Sequence, residues 1–456
     1  MQERLPNIED HRAVRLLQEL LRFDTSNPPG NEAPCVGFID QELRRAGLKT
    51  HIVSKDPARP NLVARLPGRG EAPALLLAGH LDVVPADPSS WRHPPFSGTI
   101  DEGCLWGRGA LDMKGGVAMM LAAFLQACNE GLRPAGDLLF AALADEEAGG
   151  RLGAQFLVEE HPSLLAGVRY AIGEFGAFPL RFGGRTFYPV QVDEKTPCLA
   201  TITVSGAGGH GARISRGGTM ARLAAVVRRL DRHRFPVRVP DATRRMILSM
   251  AAALPWQLGA ALRGLLVPPI AGALLRVLGR HVRPLEPLLR DTATPTIVRA
   301  GKVGNVVPRQ ATLIADCRLL PGTPPHAFLD RLRGAVGKGA RVELECFGAA
   351  PVEVDWGLYP LLAEILNERT TGGGAVPLLL PASTDARFFN RLGIQTYGFL
   401  PMDLPPGFPF LEMIHAANER VPLHCLAFGA SCILDLLRRY PSGTTPEGSG
   451  GKRRRR

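Results

Sequence analysis

Leu75-Leu76-Leu77-Ala78-Gly79-His80-Leu81-Asp82 reads as an apolar strand that ends in a histidine and an aspartate. Gly107-Arg108-Gly109-Ala110-Leu111-Asp112-Met113-Lys114-Gly115-Gly116 reads as a glycine-rich turn that sets another aspartate at the start of a helix. An open α/β sheet builds its sites this way, in the crevice beyond the carboxyl ends of its strands. A histidine among carboxylates, with no cysteine in either motif, suits a hard-to-borderline divalent cation such as zinc, cobalt or manganese.

The flanking pattern alternates. Glu9 to Phe23 and Cys35 to Ala46 have helical spacing, separated by the loop Asp24-Thr25-Ser26-Asn27-Pro28-Pro29-Gly30. Lys49 to Ser54 and Asn61 to Leu66 read as strands. Gly115 to Cys128 is a buried helix, and Asp137 to Ala144 a strand that ends in Asp145-Glu146-Glu147. A helix at Leu152 to Glu160 leads to the strand Tyr170 to Gly173, closed by Glu174. This predicts an α/β fold with a mostly parallel, doubly wound sheet. Near Glu194 the pattern shifts to a smaller α+β unit: strands at Leu199 to Ser205, Val306 to Pro308, Gln310 to Leu319 and Arg341 to Phe347, with helices at Gly217 to Leu230 and Pro325 to Val336. The α/β pattern resumes near Asp355 and ends in a helix at His424 to Leu437. The expected organisation is a first domain of residues 1–194 and 354–441, an insertion of 195–353, and a disordered basic tail of 442–456.

At 456 residues, two domains are the prior. The net charge is +11, of which Lys452-Arg453-Arg454-Arg455-Arg456 supplies 5. No other stretch makes a basic stripe with interleaved aromatics, so nucleic acid is not an expected partner. Met1 to Pro6 has no apolar core for a signal peptide, and the eight cysteines form no CxxC pair. Both point to the cytoplasm with all cysteines as structural thiols. Met246 to Gly279 is apolar but interrupted by Pro255, Arg263, Pro268, Pro269 and Arg276, which predicts two short amphipathic helices and no span of ~20 apolar residues.

Five segments thus carry a metal-competent side chain: His80 with Asp82, Asp112, Glu146 with Glu147, Glu174, and His415. Singly, each has a structural explanation such as an N-cap. Together they suit a two-metal site, in which one carboxylate bridges and the others are terminal ligands. Asp82 is placed to fix the His80 imidazole through its second nitrogen. In the Glu146-Glu147 pair, one carboxylate can bind metal while the other stays free as a general base.

The combination resembles the M20 metallopeptidase family, on Asp24 to Gly30, Gly79 to Pro85, Trp91 with Pro94 to Gly98, Gly107 to Gly116, Asp145 to Glu147, and His415-Ala416-Ala417-Asn418-Glu419. The resemblance implies metal ligands His80, Asp112 (bridging), Glu147, Glu174 and His415, with Asp82 in support and Glu146 as general base. It implies two divalent ions, zinc first and cobalt or manganese next. The insertion becomes a lid and dimerisation domain of a homodimer. Gly206-Ala207-Gly208-Gly209-His210-Gly211 also fits GxGxxG, but Asp231 ends a helix rather than a strand, which disfavours a dinucleotide. The resemblance makes His210 a donor to the developing oxyanion. Asn305 and Arg318 would hold the substrate carboxylate, with an Arg318–Asp316 salt bridge as the plain alternative. The implied activity is hydrolysis of an N-acyl amino acid or small peptide with a free α-carboxylate. Rival branches are carboxypeptidase or dipeptidase and desuccinylase or deacetylase; a metal-free peptide-binding relative is the non-enzyme rival. Two departures stand out: Thr196-Pro197 where a glycine commonly follows the Glu-Lys pair, and the apolar stretch Met246 to Leu289. That stretch would enlarge the dimer face, shape a substrate channel, or touch a membrane surface, the first two being favoured.

Overall fold

A computed structural model of the chain describes residues 8–213, 216–277, 283–348 and 353–440. The expected basic tail lies outside the described residues. The chain forms two compact units, Met1–Glu174 with Leu400–Arg456, and Phe175–Phe399.

The first unit opens with helices α1 (Arg12–Leu21) and α2 (Ala33–Arg45). Strands β1 (Thr50–Val53), β2 (Asn61–Leu66) and β3 (Ala74–His80) follow, then the short strands β4 (Thr99–Asp101) and β5 (Cys104–Trp106). Next come α3 (Lys114–Asn129), β6 (Leu138–Leu143), α4 (Ala154–Glu160) and β7 (Val168–Gly173). The sheet order is β1-β2-β6-β3-β7. Its centre is parallel, β3 pairing with both β6 and β7, while β2 runs antiparallel on β6. Every residue of β3 and β6 is buried, as expected of central parallel strands.

The Gly107–Gly116 motif is explained by space. Gly109 has φ +92°, and a Cβ on Gly115 would lie 2.1 Å from the Ala110 carbonyl oxygen. The buried Lys114 Nζ donates to the carbonyls of Leu20 (3.1 Å) and Phe23 (2.7 Å), so it closes the C-terminal end of α1.

The second unit contains β8 (Leu180–Phe182), β9 (Arg185–Glu194), β10 (Thr196–Ser205) and β11 (Gly209–His210). Helices α5 (Thr219–Arg232), α6 (Asp241–Ala253), α7 (Trp256–Gly264) and α8 (Pro268–Val277) follow. Then come β12 (Thr292–Ala300), β13 (Val306–Val307), β14 (Gln310–Leu319), α9 (Pro325–Val336) and β15 (Ala340–Cys346). The unit ends with α10 (Tyr359–Arg369), β16 (Gly374–Leu380), α11 (Ala386–Phe389) and β17 (Gln395–Gly398). Strands β12-β14-β10-β15 make a four-stranded antiparallel sheet, and β9 pairs with β16 and β17.

Two expectations are corrected here. The apolar stretch forms three helices, not two: the first starts at Asp241, and breaks at Leu254-Pro255 and before Pro268-Pro269 separate the rest. The cysteines are not all thiols. The β10/β15 register sets Cys198 opposite Cys346, and the two are joined by a disulfide.

The chain re-enters the first unit with α12 (Phe410–Met413), β18 (Arg420–Pro422) and α13 (Leu423–Arg439). Strand β18 pairs with β5, which carries the preceding segment His415–Glu419 to the Gly107–Asp112 turn. Helix α3 is packed between β3 and the pair α1 and α13, so the Asp112 turn rests on a buried layer.

Candidate metal centre

Parallel strands end on one edge, and here that edge gathers the carboxylates. His80 closes β3 in register with Leu143, the last residue of β6. Glu146 and Glu147 follow β6 by one tight turn, and Glu174 follows β7 directly. Asp112 arrives on the turn before α3, and His415 from the return segment. The structure brings all seven expected residues of this set into the first unit.

Asp112 stands between the two histidines. His80 Nε2 is 3.2 Å from its Oδ1, and His415 Nε2 is 3.1 Å from its Oδ2. Glu174 Oε2 lies 3.5 Å from His80 Nε2, and Glu147 Oε1 lies 3.2 Å from His415 Nε2. Two triplets result. His80, Glu146 and Glu174 offer ligand atoms within 4.8 Å of one another, and so do Asp112, Glu147 and His415.

The donor set, imidazole nitrogens and carboxylate oxygens, is that of a divalent cation site. Glu147 Oε1 is buried with no hydrogen-bond donor of proper geometry among the described residues, an acceptor that a cation would satisfy. The electrostatics agree. The Asp112 and Glu147 carboxylates beside it push the His415 pKa up to about 10. Burial opposes protonation of His80, yet Asp112, Asp82 and Glu174 together raise its pKa well above the usual imidazole value. Burial raises Glu174, while contact with His415 and His80 outweighs burial at Asp112 and lowers it. A site that binds protons this strongly presents the same negative potential to a metal ion.

Asp82 stands beside the second nitrogen of His80, as expected, and has further partners. The His80 Nδ1 lies 2.9 Å from the Asp82 backbone carbonyl and 3.5 Å from its carboxylate. The carboxylate also accepts the N–H groups of Glu146 (3.0 Å) and Glu147 (3.1 Å). By holding these two backbone N–H groups it fixes the turn that carries both glutamates.

Behind this lies a buried network that the motifs did not single out. Asn27 Nδ2 donates to Asp82 Oδ2 (2.8 Å) and Asp145 Oδ1 (3.2 Å). Arg59 donates to Asp145 Oδ1 (3.0 Å) and through two nitrogens to Glu32 (2.6 and 2.9 Å). A Cβ on Gly30 would lie 2.2 Å from the Arg59 guanidinium, so the loop's glycine makes room for it. These contacts hold Asp145 in the left-handed region, φ 69°, which turns the chain so that Glu146 and Glu147 face the cluster. Glu419, fully buried, ties the Asp112 turn to the His415 segment: it pairs with Arg108 at 2.7 Å, and Arg108 also donates to the His415 carbonyl at 3.3 Å. Asn27, Gly30, Asp145, Arg108 and Glu419 lie within the quoted motifs, whereas Glu32 and Arg59 lie outside them.

The remaining expected residues lie in the second unit. His210 is exposed on β11, paired with Val306, and the adjacent Gly211 N–H donates to the Asn305 carbonyl at 2.7 Å. Arg318 is engaged by Asp316 in a fork (2.8 and 3.1 Å) and donates to Ser383 Oγ at 3.0 Å.

Residues 76–439 match the family model described as Peptidase family M20/M25/M40. The chain is 27% identical over 396 residues to N-fatty-acyl-amino acid synthase/hydrolase PM20D1 of Xenopus tropicalis, covering 82% of this chain and 73% of that protein. It is 26% identical over 421 residues to aminoacylase-1 of Sus scrofa, covering 90% of this chain and 91% of that one. The M20 family metallo-carboxypeptidase Sso-CP2 from Sulfolobus solfataricus shares the fold, with a TM-score of 0.68 at 18% identity over 94% of this chain and 99% of that chain.

Proposed function

The chain belongs to peptidase family M20/M25/M40, and from that membership we propose a dinuclear-metal amidohydrolase that cleaves the amide bond of an N-acyl amino acid or a small peptide with a free α-carboxylate. The observation that carries this reading is Asp112, with one oxygen toward each histidine. In the proposed assignment His80 and Glu174 would hold one ion, Glu147 and His415 the other, and Asp112 would be shared between them. Zinc, or cobalt or manganese in its place, would supply Lewis-acid polarisation of the amide carbonyl and of water there. Glu146 withdraws a proton from the attacking water and returns it to the leaving nitrogen. Asp82 keeps Glu146 and Glu147 aimed. His210 donates to the oxyanion, and Asn305 and Arg318 receive the substrate carboxylate.

We further propose residues 195–353 as the lid and dimerisation domain of a homodimer, and the cytoplasm as the place of action. Six of the eight cysteines are free thiols, which suits that compartment; the Cys198–Cys346 bond is the exception. The test is release of free amine by zinc- or cobalt-loaded protein from N-acetyl, N-succinyl and long-chain N-acyl amino acids and from dipeptides. Turnover that disappears with chelator supports the proposal. Silence across the panel from protein that holds two metal ions per chain overturns the substrate class; silence with no metal held overturns the reading as a whole.

A further inference from the structure

Helices α6, α7 and α8 bury one face, where Met250, Leu262, Leu265 and Leu275 pack with Phe187 of β9 and Val376 of β16. Their core is satisfied, so the apolar side chains left outside need another explanation. Trp256 is 77% exposed, Val267 44%, Ile270 49% and Val277 82%. Trp256, Ala260 and Arg263 share one face of α7, and Ile270, Ala273 and Val277 one face of α8, by helical spacing. From Met246 to Val277 the charged residues are Arg263 and Arg276, both exposed, with no carboxylate among them.

Neither helix crosses a bilayer. At nine and ten residues they are about 14–15 Å long, half the hydrocarbon thickness, and they meet at a 119° bend. The bend is firmly packed: a Cβ on Gly264 would lie 2.6 Å from Leu274 Cδ1. A short, rigid, apolar hairpin with arginines and a tryptophan on its outer surface has the composition of an interfacial anchor.

We propose that the α7–α8 hairpin seats this protein on the surface of a bilayer rich in anionic phospholipid. The apolar side chains enter the acyl boundary while Arg263 and Arg276 meet headgroup phosphates. A second copy of the chain is the poorer occupant, because an isologous pairing of this face offers the arginines no carboxylate.

The experiment is flotation of full-length, metal-loaded protein with vesicles of phosphatidylcholine alone and of phosphatidylcholine with phosphatidylglycerol. Partition at least tenfold greater onto the anionic vesicles is expected, falling with added salt. The double variant Trp256→Ser/Ile270→Ser loses at least tenfold of that partition, with its melting temperature and its chelator-sensitive hydrolysis of soluble substrate kept. Should that variant misfold, Arg263→Gln/Arg276→Gln replaces it and removes the preference for the anionic lipid. Brominated phospholipid quenches tryptophan emission in the wild type and not in Trp256→Phe. Wild-type protein that stays with the aqueous phase, equal flotation of the double variant, or conversion of a dimer to a monomer by that variant overturns the proposal.

Discussion

Glu419 holds Asp112 from behind, its Oε1 accepting the Asp112 N–H at 3.1 Å. The same oxygen accepts the Leu111 N–H at 2.7 Å, and Oε2 accepts the Gly109 N–H and Arg108. A buried carboxylate so placed fixes where the two oxygens of Asp112 point. Glu419→Gln exchanges one acceptor for a donor and leaves Arg108 buried without its counter-charge. The expected result is a loss of about 3 kcal/mol in stability and at least tenfold weaker metal retention. Metal content after dialysis and thermal unfolding measure both, and full retention of metal by the variant would refute the positioning role.

Glu146→Gln separates chemistry from metal binding. The amide keeps the shape but accepts no proton, so turnover falls by about 10²–10⁴-fold while both ions remain. Near-wild-type amine release from this variant would remove Glu146 from the mechanism.

Metal binding in this site expels protons. A ligating imidazole is neutral, whereas His415, with a pKa of about 10 set by Asp112 and Glu147, holds its proton at neutral pH when the metal is absent. A raised imidazole pKa stabilises the metal-free fold below the unfolded value of ~6.5 and ceases to do so as pH climbs through about 10. Metal affinity runs the other way and rises across that window. Calorimetric titration with zinc in buffers of different ionisation enthalpy should show net proton release, and the melting-temperature gap between loaded and metal-free protein should widen from pH 7 to 10. A gap that is flat with pH would contradict this account.

Asp193, buried near the end of β9, has its pKa pushed up to about 8 by burial, with the Glu194 charge adding to it. Between the unfolded value of ~3.9 and 8 the unfolded chain is ionised there and the folded chain is not, so folding stability declines over that range. Asp193→Asn keeps an acceptor for the Glu194 N–H and removes the titration. It should stabilise the protein by about 1–3 kcal/mol at pH 8 and by nothing at pH 4, read from melting temperature against pH. Equal curves for variant and wild type would show that the carboxyl ionises freely.

The sequence was most readable where function and fold use the same short segment. His80, Asp112, Glu146 and Glu174 could be found because each closes an apolar strand or opens a helix, and parallel strands deliver their ends to one edge. Asp82 was readable as a partner of His80, but its hold on the Glu146 and Glu147 N–H groups was not, since that depends on the turn that follows β6. Arg59 and Glu32 were not readable at all: a charged residue in a loop carries no mark of burial until its partners fold around it. Strands β9, β12 and β16 escaped notice because Pro189, Pro295 and Pro377 disguise them, and β12 accommodates its proline with a register shift between Pro295 and Ile297. The Cys198–Cys346 pairing is a property of β-sheet register, 148 residues apart in the chain.

The return segment sets a schedule for biosynthesis. His80, Asp112, Glu146, Glu147 and Glu174 leave the ribosome early, but His415 and the Glu419 that steadies Asp112 emerge about 240 residues after Glu174. At ordinary translation speeds that is a delay of roughly 10–50 s. Throughout it the nascent chain has made four of the carboxylates and one imidazole, the proposed ligand set without its distal histidine. On the proposed assignment, correct metallation would be decided late, when the distal histidine docks, and cellular metal supply at that moment would become part of how this enzyme matures.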